Sequence, residues 1–443
     1  MMNQLHKILA FALMVVILIA CKKDDDCPSN DSNENGSYSD LIVLGDLQIQ
    51  GDTIVLNWSK LETIHFRGYQ IVRKEAEGEY TEPGSYNPNI IETIYDPEIR
   101  TFTDTEVPLT GFLEYQIIGM IDEDEQYGFI YSNSQKYERP EIQTFTIHFK
   151  EVIPDIDNNR FYFTETSNGK IHVFNFEELR LEKTLDTEAN IGYCSLGEYN
   201  SIQELYVPRS DGWVFVYDAE TLVKRDQIDI AQPSSCVVSN NGILYISTDA
   251  WTNRPLRVYN RDTHAMIYEG GDFDDTRLRV IPGTQTEIME VTINIGPVDI
   301  NRYTFDSNGN HINSQNDPYH GDYPLDDFIF QFFPNNEGFI TSYQGAIYDM
   351  DMHYVNRLPR GEYKFSDFAF SENGNTVYAS CSNSKSILAY SLDNFMIEKK
   401  FNTLGYPLKI YRKGNELICI SGTEFMDSSN FFVHSWVIER IAL

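Results

Sequence analysis

Beyond its first forty residues, this chain alternates hydrophobic and polar positions with a period of two over long stretches. In "DTIVLNWSK" Ile54, Leu56 and Trp58 fall on one side, "FRGYQIVRK" continues through Tyr69 and Ile71, and "LEYQIIGM" places Tyr115 and Ile117 in step. Such alternation marks strands with one buried and one wet face. Residues 41 to about 137 hold several such runs separated by turn signals, which predicts a β-sandwich of ordinary size.

The following 300 residues repeat one phrase. It occurs as "IHVFNF", "WVFVYD", "LRVYN", "INRYTFD", "GAIYDMD", "ILAYSLD" and "FFVHSW". Aligning Phe174, Tyr217, Tyr259, Tyr303, Tyr348, Tyr390 and His434 gives spacings of 43, 42, 44, 45, 42 and 44. A second strand precedes most phrases ("ILYISTD", "TVYASCS"), and another lies further back ("SCVVSNNG", "DFAFSENG"), where Asn-Gly suits a tight hairpin. A fourth follows, as in "LVKRDQIDI". Four short antiparallel strands in each such period describe a propeller blade. The blades pack face to face because no single sheet buries both faces alone. A β-helix would have a period about half as long. "IQTFTIHF", 142–149, precedes the first blade, and the chain stops soon after the last phrase. That strand is expected to complete the seventh blade and cover its open edge; the alternative is a connector beside a short seventh blade.

Trp58, Tyr69, "TFTDTEV" at 101–107 and Tyr115 after "VPLTGFL" resemble a fibronectin type III domain. The resemblance implies that Tyr115 is a corner tyrosine whose hydroxyl caps a nearby backbone group, and that the domain is a spacer or docking module. "VFVYDAETLVKRDQI" and "ILAYSLDNFMIEKKF" resemble the YVTN-type, or quinoprotein-dehydrogenase-like, repeats of bacterial surface proteins. That resemblance covers 151–443 and implies architecture, not activity. No C-x-x-C-H is present, so no quinone or haem site carries across and no cofactor is expected. The expected fold is all-β: an immunoglobulin-like sandwich over 39–139, then a seven-bladed β-propeller of four-stranded blades over 140–443.

The amino terminus has a different pattern. Residues 8–20, "ILAFALMVVILIA", contain no polar side chain and follow His6 and Lys7. A bilayer helix needs about 20 apolar residues, so this run fits the core of a secretory signal spanning 1–20. "LIAC" resembles the lipobox of bacterial lipoproteins. The resemblance implies lipid on the Cys21 thiol, cleavage before it and acylation of the new amino terminus. Several acyl chains anchor firmly, each buried methylene contributing ~0.8 kcal/mol. "KKDDD" after Cys21 resembles the export signal of Bacteroidetes lipoproteins, which implies the outer face of the outer membrane, with a periplasm-facing lipoprotein as the alternative. "SNDSNENGSY" completes a polar tether over 21–38.

Composition narrows the partners. Removing residues 1–20 from 443 leaves 423, and the formal charge of −33 becomes about −34 with the loss of Lys7. Nucleic acid, which selects basic surfaces, is not an expected partner. The acidic surface by itself names no ligand. Six cysteines stand at 21, 27, 194, 236, 381 and 419 with no C-x-x-C pair, and Cys236, Cys381 and Cys419 read as buried structural thiols.

Candidate chemistry is sparse. The histidines of the repeat region (148, 172, 264, 311, 320, 353 and 434) fall singly, without H-x-H or H-E-x-x-H. "GGDFDDT" and "YHGDYPLDDF" offer oxygen ligands but lack EF-hand order, so no metal is expected. Loops expected at one mouth of the ring carry Trp251, Phe273, Asp274, Tyr319, His320, Tyr323, Asp326, Tyr343, Tyr363 and Tyr406. Aromatic platforms beside carboxylates suit a sugar ring or a peptide. The sequence therefore favours a non-enzymatic surface lipoprotein whose propeller binds a protein or glycan, as accessory to an envelope or nutrient-uptake complex. A polysaccharide lyase or hydrolase using His320 and Tyr323 is the competing reading, and a purely structural scaffold the third.

Overall fold

The computed structural model describes residues 42–51, 53–75, 90–123, 126–140, 142–249, 254–425 and 435–443. The signal segment, Cys21, the tether, Trp251 and His434 lie outside the described residues. The fold is all-β and, from residue 151 onward, β-propeller-like.

The described residues of the first unit form seven strands: β1 (Gln48–Gln50), β2 (Thr53–Asn57), β3 (Phe66–Lys74), β4 (Ile90–Ile94), β5 (Thr101–Asp104), β6 (Phe112–Glu123) and β7 (Gln126–Glu138). They form two sheets, β1-β2-β5 and β4-β3-β6-β7. The alternation explains the shared core: Ile54 and Leu56 of β2 meet Tyr69 and Ile71 of β3 and Tyr115 and Ile117 of β6, with Trp58 among them. The expected role of Tyr115 needs correction. Its hydroxyl donates to Asp104 Oδ2 at 2.8 Å, not to backbone, and Arg73 Nη1 donates to the same oxygen at 2.9 Å. Asp104 is buried, so a charge-assisted pair outcompetes a backbone carbonyl for the phenol proton. The backbone cap comes from Tyr69 instead, whose oxygen accepts the Leu61 N–H at 2.9 Å.

Among the described residues from 151 to 442 there are six four-stranded antiparallel sheets and a last, three-stranded one, each with its strands in chain order. Second and third strands are buried, whereas fourth strands such as Ile397–Asn402 are largely exposed. Apolar clusters join successive sheets: Leu205 and Tyr217 of the second sheet pack on Tyr162 and Val173 of the first. Met289 and Val291 of the fourth pack on Phe339 and Tyr348 of the fifth. The succession returns to its start, because Ile418, Ile420 and Trp436 of the last sheet share a cluster with Phe161, Phe163 and Phe174 of the first.

The repeated phrase has a local cause. Its aromatic residue follows a β-bulge in the first, second, third, fifth and sixth sheets, at Phe174, Tyr217, Tyr259, Tyr348 and Tyr390. In the first, second, third and fifth sheets the Asn or Asp behind it caps the turn into the fourth strand: Asn175 Oδ1 accepts the Glu177 and Glu178 N–H groups at 3.0 Å, and Asp218 Oδ1 that of Thr221 at 2.9 Å, whereas Ser391 stands there in the sixth. The turns then close through a left-handed residue, Leu179, Leu222, His264 or Phe395. Two repeats depart from the sequence alignment. In the fourth sheet the bulge falls two residues later, at Thr304/Phe305. In the last, Leu417 pairs with Ile441 as Val377 pairs with Tyr390, so Ile441, and not His434, is the counterpart. The third strand there is Trp436–Ala442.

The expected closing strand is reduced to one bridge. Phe145 and Trp436 exchange both backbone hydrogen bonds, at 2.8 and 2.9 Å, and Trp436 Nε1 donates to the Ile147 carbonyl at 3.0 Å. Packed rings do the rest, with Trp436 at 4.7 Å from Phe163 and 4.8 Å from Phe145.

Burial also isolates one carboxylate, Glu290, in the second strand of the fourth sheet (Glu287–Thr292). It is fully buried and accepts hydrogen bonds from Thr276 Oγ1 (2.9 Å), Asn301 Nδ2 (3.0 Å) and Tyr303 OH (2.9 Å). Burial pushes its pKa above the ordinary 4.5, against those three donors, and Asp272 adds to the rise. A raised folded value means that the folded state holds its proton more tightly than the unfolded chain. Its favourable contribution is therefore complete below 4.5 and declines as pH climbs through the raised value. Glu290→Gln is expected to flatten this decline and raise the melting temperature at pH 8 relative to the parent; thermal unfolding of both proteins from pH 4 to 8 checks it.

Candidate functional site

The first strands of the sheets converge on a cavity of about 390 Å3. Every sheet contributes to its wall: Glu151, Ser195, Cys236, Arg279, Gln331, Asp367 and Lys409, in chain order. Strand periodicity puts them there. "TRLRV" carries Arg277 and Arg279 two positions apart on one inner strand, and "PLKIY" does the same for Lys409 and Tyr411.

Each cation is held. Arg277 pairs with Glu151 and its guanidinium lies 4.5 Å from the Tyr193 ring centre and 5.4 Å from that of Phe328. Arg279 lies 4.8 Å from the Phe330 ring centre and donates from Nη2 to the Asp327 carbonyl at 2.6 Å. Lys409 Nζ is 3.9 Å from Asp367 Oδ1 and 3.3 Å from the Phe328 carbonyl. Asp367 is buried and fixed from the other side by the Ile410 N–H at 3.0 Å. Burial lowers the proton affinity of all three cations; repulsion from Arg279 adds to this at Arg277, and repulsion from both arginines at Lys409. Burial likewise raises the Asp327 carboxyl. Carboxylates oppose these cations: Asp327 attracts both arginines, Glu151 pairs with Arg277 and Asp367 attracts Lys409. Three buried polar atoms of lining residues, Arg279 Nε, Glu151 Oε2 and Tyr193 OH, have no hydrogen-bond partner among the described residues.

The loop residues singled out from sequence are distributed differently. Tyr319 and Tyr323 do meet, with ring centres 4.8 Å apart, but Tyr323 stacks on Tyr354 at 4.1 Å. Tyr319 and Tyr354 belong to the apolar seam between the fourth and fifth sheets. His320 is exposed, with Nδ1 3.0 Å from Asp299 Oδ1. Asp326 Oδ1 caps the Phe328 and Ile329 N–H groups, each at 2.8 Å, which positions the start of an inner strand. Tyr343 and Tyr363 are linked by Arg360, whose guanidinium is 5.6 Å from the Tyr343 ring centre and whose Nη1 donates to the Tyr363 carbonyl at 2.9 Å. Tyr406 packs on Phe425 at 5.6 Å with Lys385 Nζ 5.7 Å from its ring. Phe273 and Asp274 are half-buried in the turn before Arg277. The loop set thus divides into separate clusters beside the seams.

Among the described residues no group of three or more His, Cys, Asp or Glu side chains is placed to hold a metal ion. Cys194, Cys236, Cys381 and Cys419 are free and buried, and the first two line the cavity.

No family model matches this chain, and no curated protein does. Among solved structures it is similar to Kuenenia stuttgartiensis hydrazine synthase, at 11% identity and a TM-score of 0.48, over 66% of this chain and 94% of that one.

Proposed function

We propose that this chain is a non-enzymatic lipoprotein, anchored in the outer membrane through Cys21 and displayed on the cell surface. In this reading a fibronectin type III-like sandwich carries a seven-bladed β-propeller, and the propeller takes a glycan by its terminal unit in the axial cavity. The observation that carries the reading is the cavity itself: seven sheets converge on it, and its wall combines ring faces with charged groups held by stacking and ion pairs. A rigid, pre-formed wall of this kind serves recognition, since little ordering remains to be done on binding. Its volume of about 390 Å3 is near the lower end of small-ligand pockets, which suits one sugar ring better than an oligosaccharide. The cyclic succession of apolar clusters and the Phe145–Trp436 bridge support a closed ring.

The test is calorimetric titration of the full chain with neutral and acidic mono- and disaccharides, followed by mass spectrometry of each mixture. Saturable heat at one site per chain with the sugar recovered unchanged is expected. New products would make the protein a lyase or hydrolase, and a panel without any saturable heat would leave the scaffold reading in its place.

A further inference from the structure

We infer that the axial cavity selects a hydroxylated carboxylate the size of one sugar ring, a hexuronate being the type of ligand that fits. The inference rests on the binding role proposed above and adds the chemical class of what is bound. Three observations carry it.

The first is a cation with no ion pair of its own, although the Asp327 carboxylate attracts it. Arg277 has Glu151 and Lys409 has Asp367, but Arg279 is in no ion pair among the described residues. It spends Nη2 on a backbone carbonyl, its Nε is buried without a partner, and Phe330 lies against its guanidinium. A guanidinium with donors in a fixed fork is matched by a planar carboxylate, which accepts two parallel bonds. The second is an unspent acceptor. Glu151 is 8% exposed; Oε1 takes Arg277, and Oε2 has no partner. A second simple anion would be repelled there, whereas a ligand hydroxyl would donate to it. With the unpartnered Tyr193 hydroxyl, the wall asks for a molecule that carries hydroxyls as well as the carboxylate. The third is the size of the cavity: at about 390 Å3 it has room for one hydroxylated ring, which a bare inorganic anion would leave largely unfilled.

The experiment compares glucuronate, galacturonate, glucose, galactose, acetate and sulfate with the unaltered full chain by calorimetry. One or both uronates are expected to bind about 10–100-fold more tightly than the matching neutral sugar, the range set by hydrogen bonds to a charged group. Acetate and sulfate are expected to be weaker than the uronate. Arg279→Met is expected to remove the preference for the acid, so that the uronate and the matching neutral sugar bind it with similar affinity. Its unliganded melting temperature reports whether it folds; if it does not, Arg279→Lys, which keeps the charge and loses the fork, is expected to reduce the preference. Equal affinity for glucuronate and glucose would overturn the inference and leave the binding role standing. So would sulfate binding as tightly as the uronate, or a preference undiminished in a folded Arg279 variant. Absence of binding by every sugar would overturn both.

Discussion

Replacing Arg261 by methionine is expected to destabilise the repeat region by about 3–5 kcal/mol, the range for removing one partner of a buried ion pair. Arg261 is 5% exposed, at the end of the third strand of the third sheet. Nε and Nη2 each donate at 3.0 Å to the two oxygens of Glu204, a residue of the second sheet that is 2% exposed. Nη1 also donates to Asp226, and Tyr206 OH donates to Glu204 Oε2 at 2.7 Å. Without the guanidinium, Glu204 would keep a neutral donor and the more distant Arg225 Nε at 3.7 Å, too little to compensate a carboxylate out of water. Urea unfolding followed by intrinsic fluorescence measures the loss. Arg261→Met with Glu204→Met is expected to recover most of it, because both charges then leave together. A single variant within 1 kcal/mol of the parent would show that the pair adds nothing its desolvation does not consume.

Trp436→Ala is expected to cost a similar amount, about 3–5 kcal/mol, and to act at one seam. Trp436 is fully buried and its ring meets Phe145, Phe149, Phe163 and Phe174 with centres 4.7 to 6.0 Å away. Its removal deletes the largest side chain of the cluster shared by the first and last sheets and the Nε1 hydrogen bond to Ile147. The links that remain there, the backbone bridge, the Phe161–Tyr411 ring contact and the bonds from Tyr411 to Val152 and from Arg440 to Glu177, lie around the cavity that the indole would leave and do not fill it. Amide hydrogen exchange should quicken first in residues 145–176, 406–425 and 435–442, with the sheet around Val237 and Leu244 protected as before. Exchange that quickens evenly around the repeats would mean that the seam is no weaker than the rest.

Much of the architecture was legible from local patterns. Period-two alternation located the strands of both units, since burying one face of a sheet imposes that period whatever the fold. The repeated aromatic-Asx phrase located the third strand and its turn, because the bulge, the cap and the left-handed residue are set within a few residues of chain. Where the local signal is diluted, sequence and structure part. The last repeat aligns on His434 in the sequence but on Ile441 in the structure, its turn chemistry being absent. The closing strand was expected to run through 142–149, yet ring packing needs only one backbone bridge from it.

The site followed the opposite course. Loop aromatics were conspicuous in the sequence, but Tyr323 meets Tyr354 and Asp326 meets two backbone amides, contacts that depend on where the chain folds back. The signal for the axial cavity was present as Arg277, Arg279 and Lys409 at alternating positions of otherwise apolar strands. No local rule distinguishes a charge facing an axis from one facing solvent.

The sequence by itself determined the strands, their grouping by a repeat of 42 to 45 residues and the chemistry of their turns, all consequences of interactions between near neighbours. Only the tertiary structure decided that Glu151 meets Arg277 across 126 positions of chain, and that Phe161 and Trp436 share one core. Those contacts arise because sheets that cannot bury both faces alone stack on one another, and the last of them packs against the first.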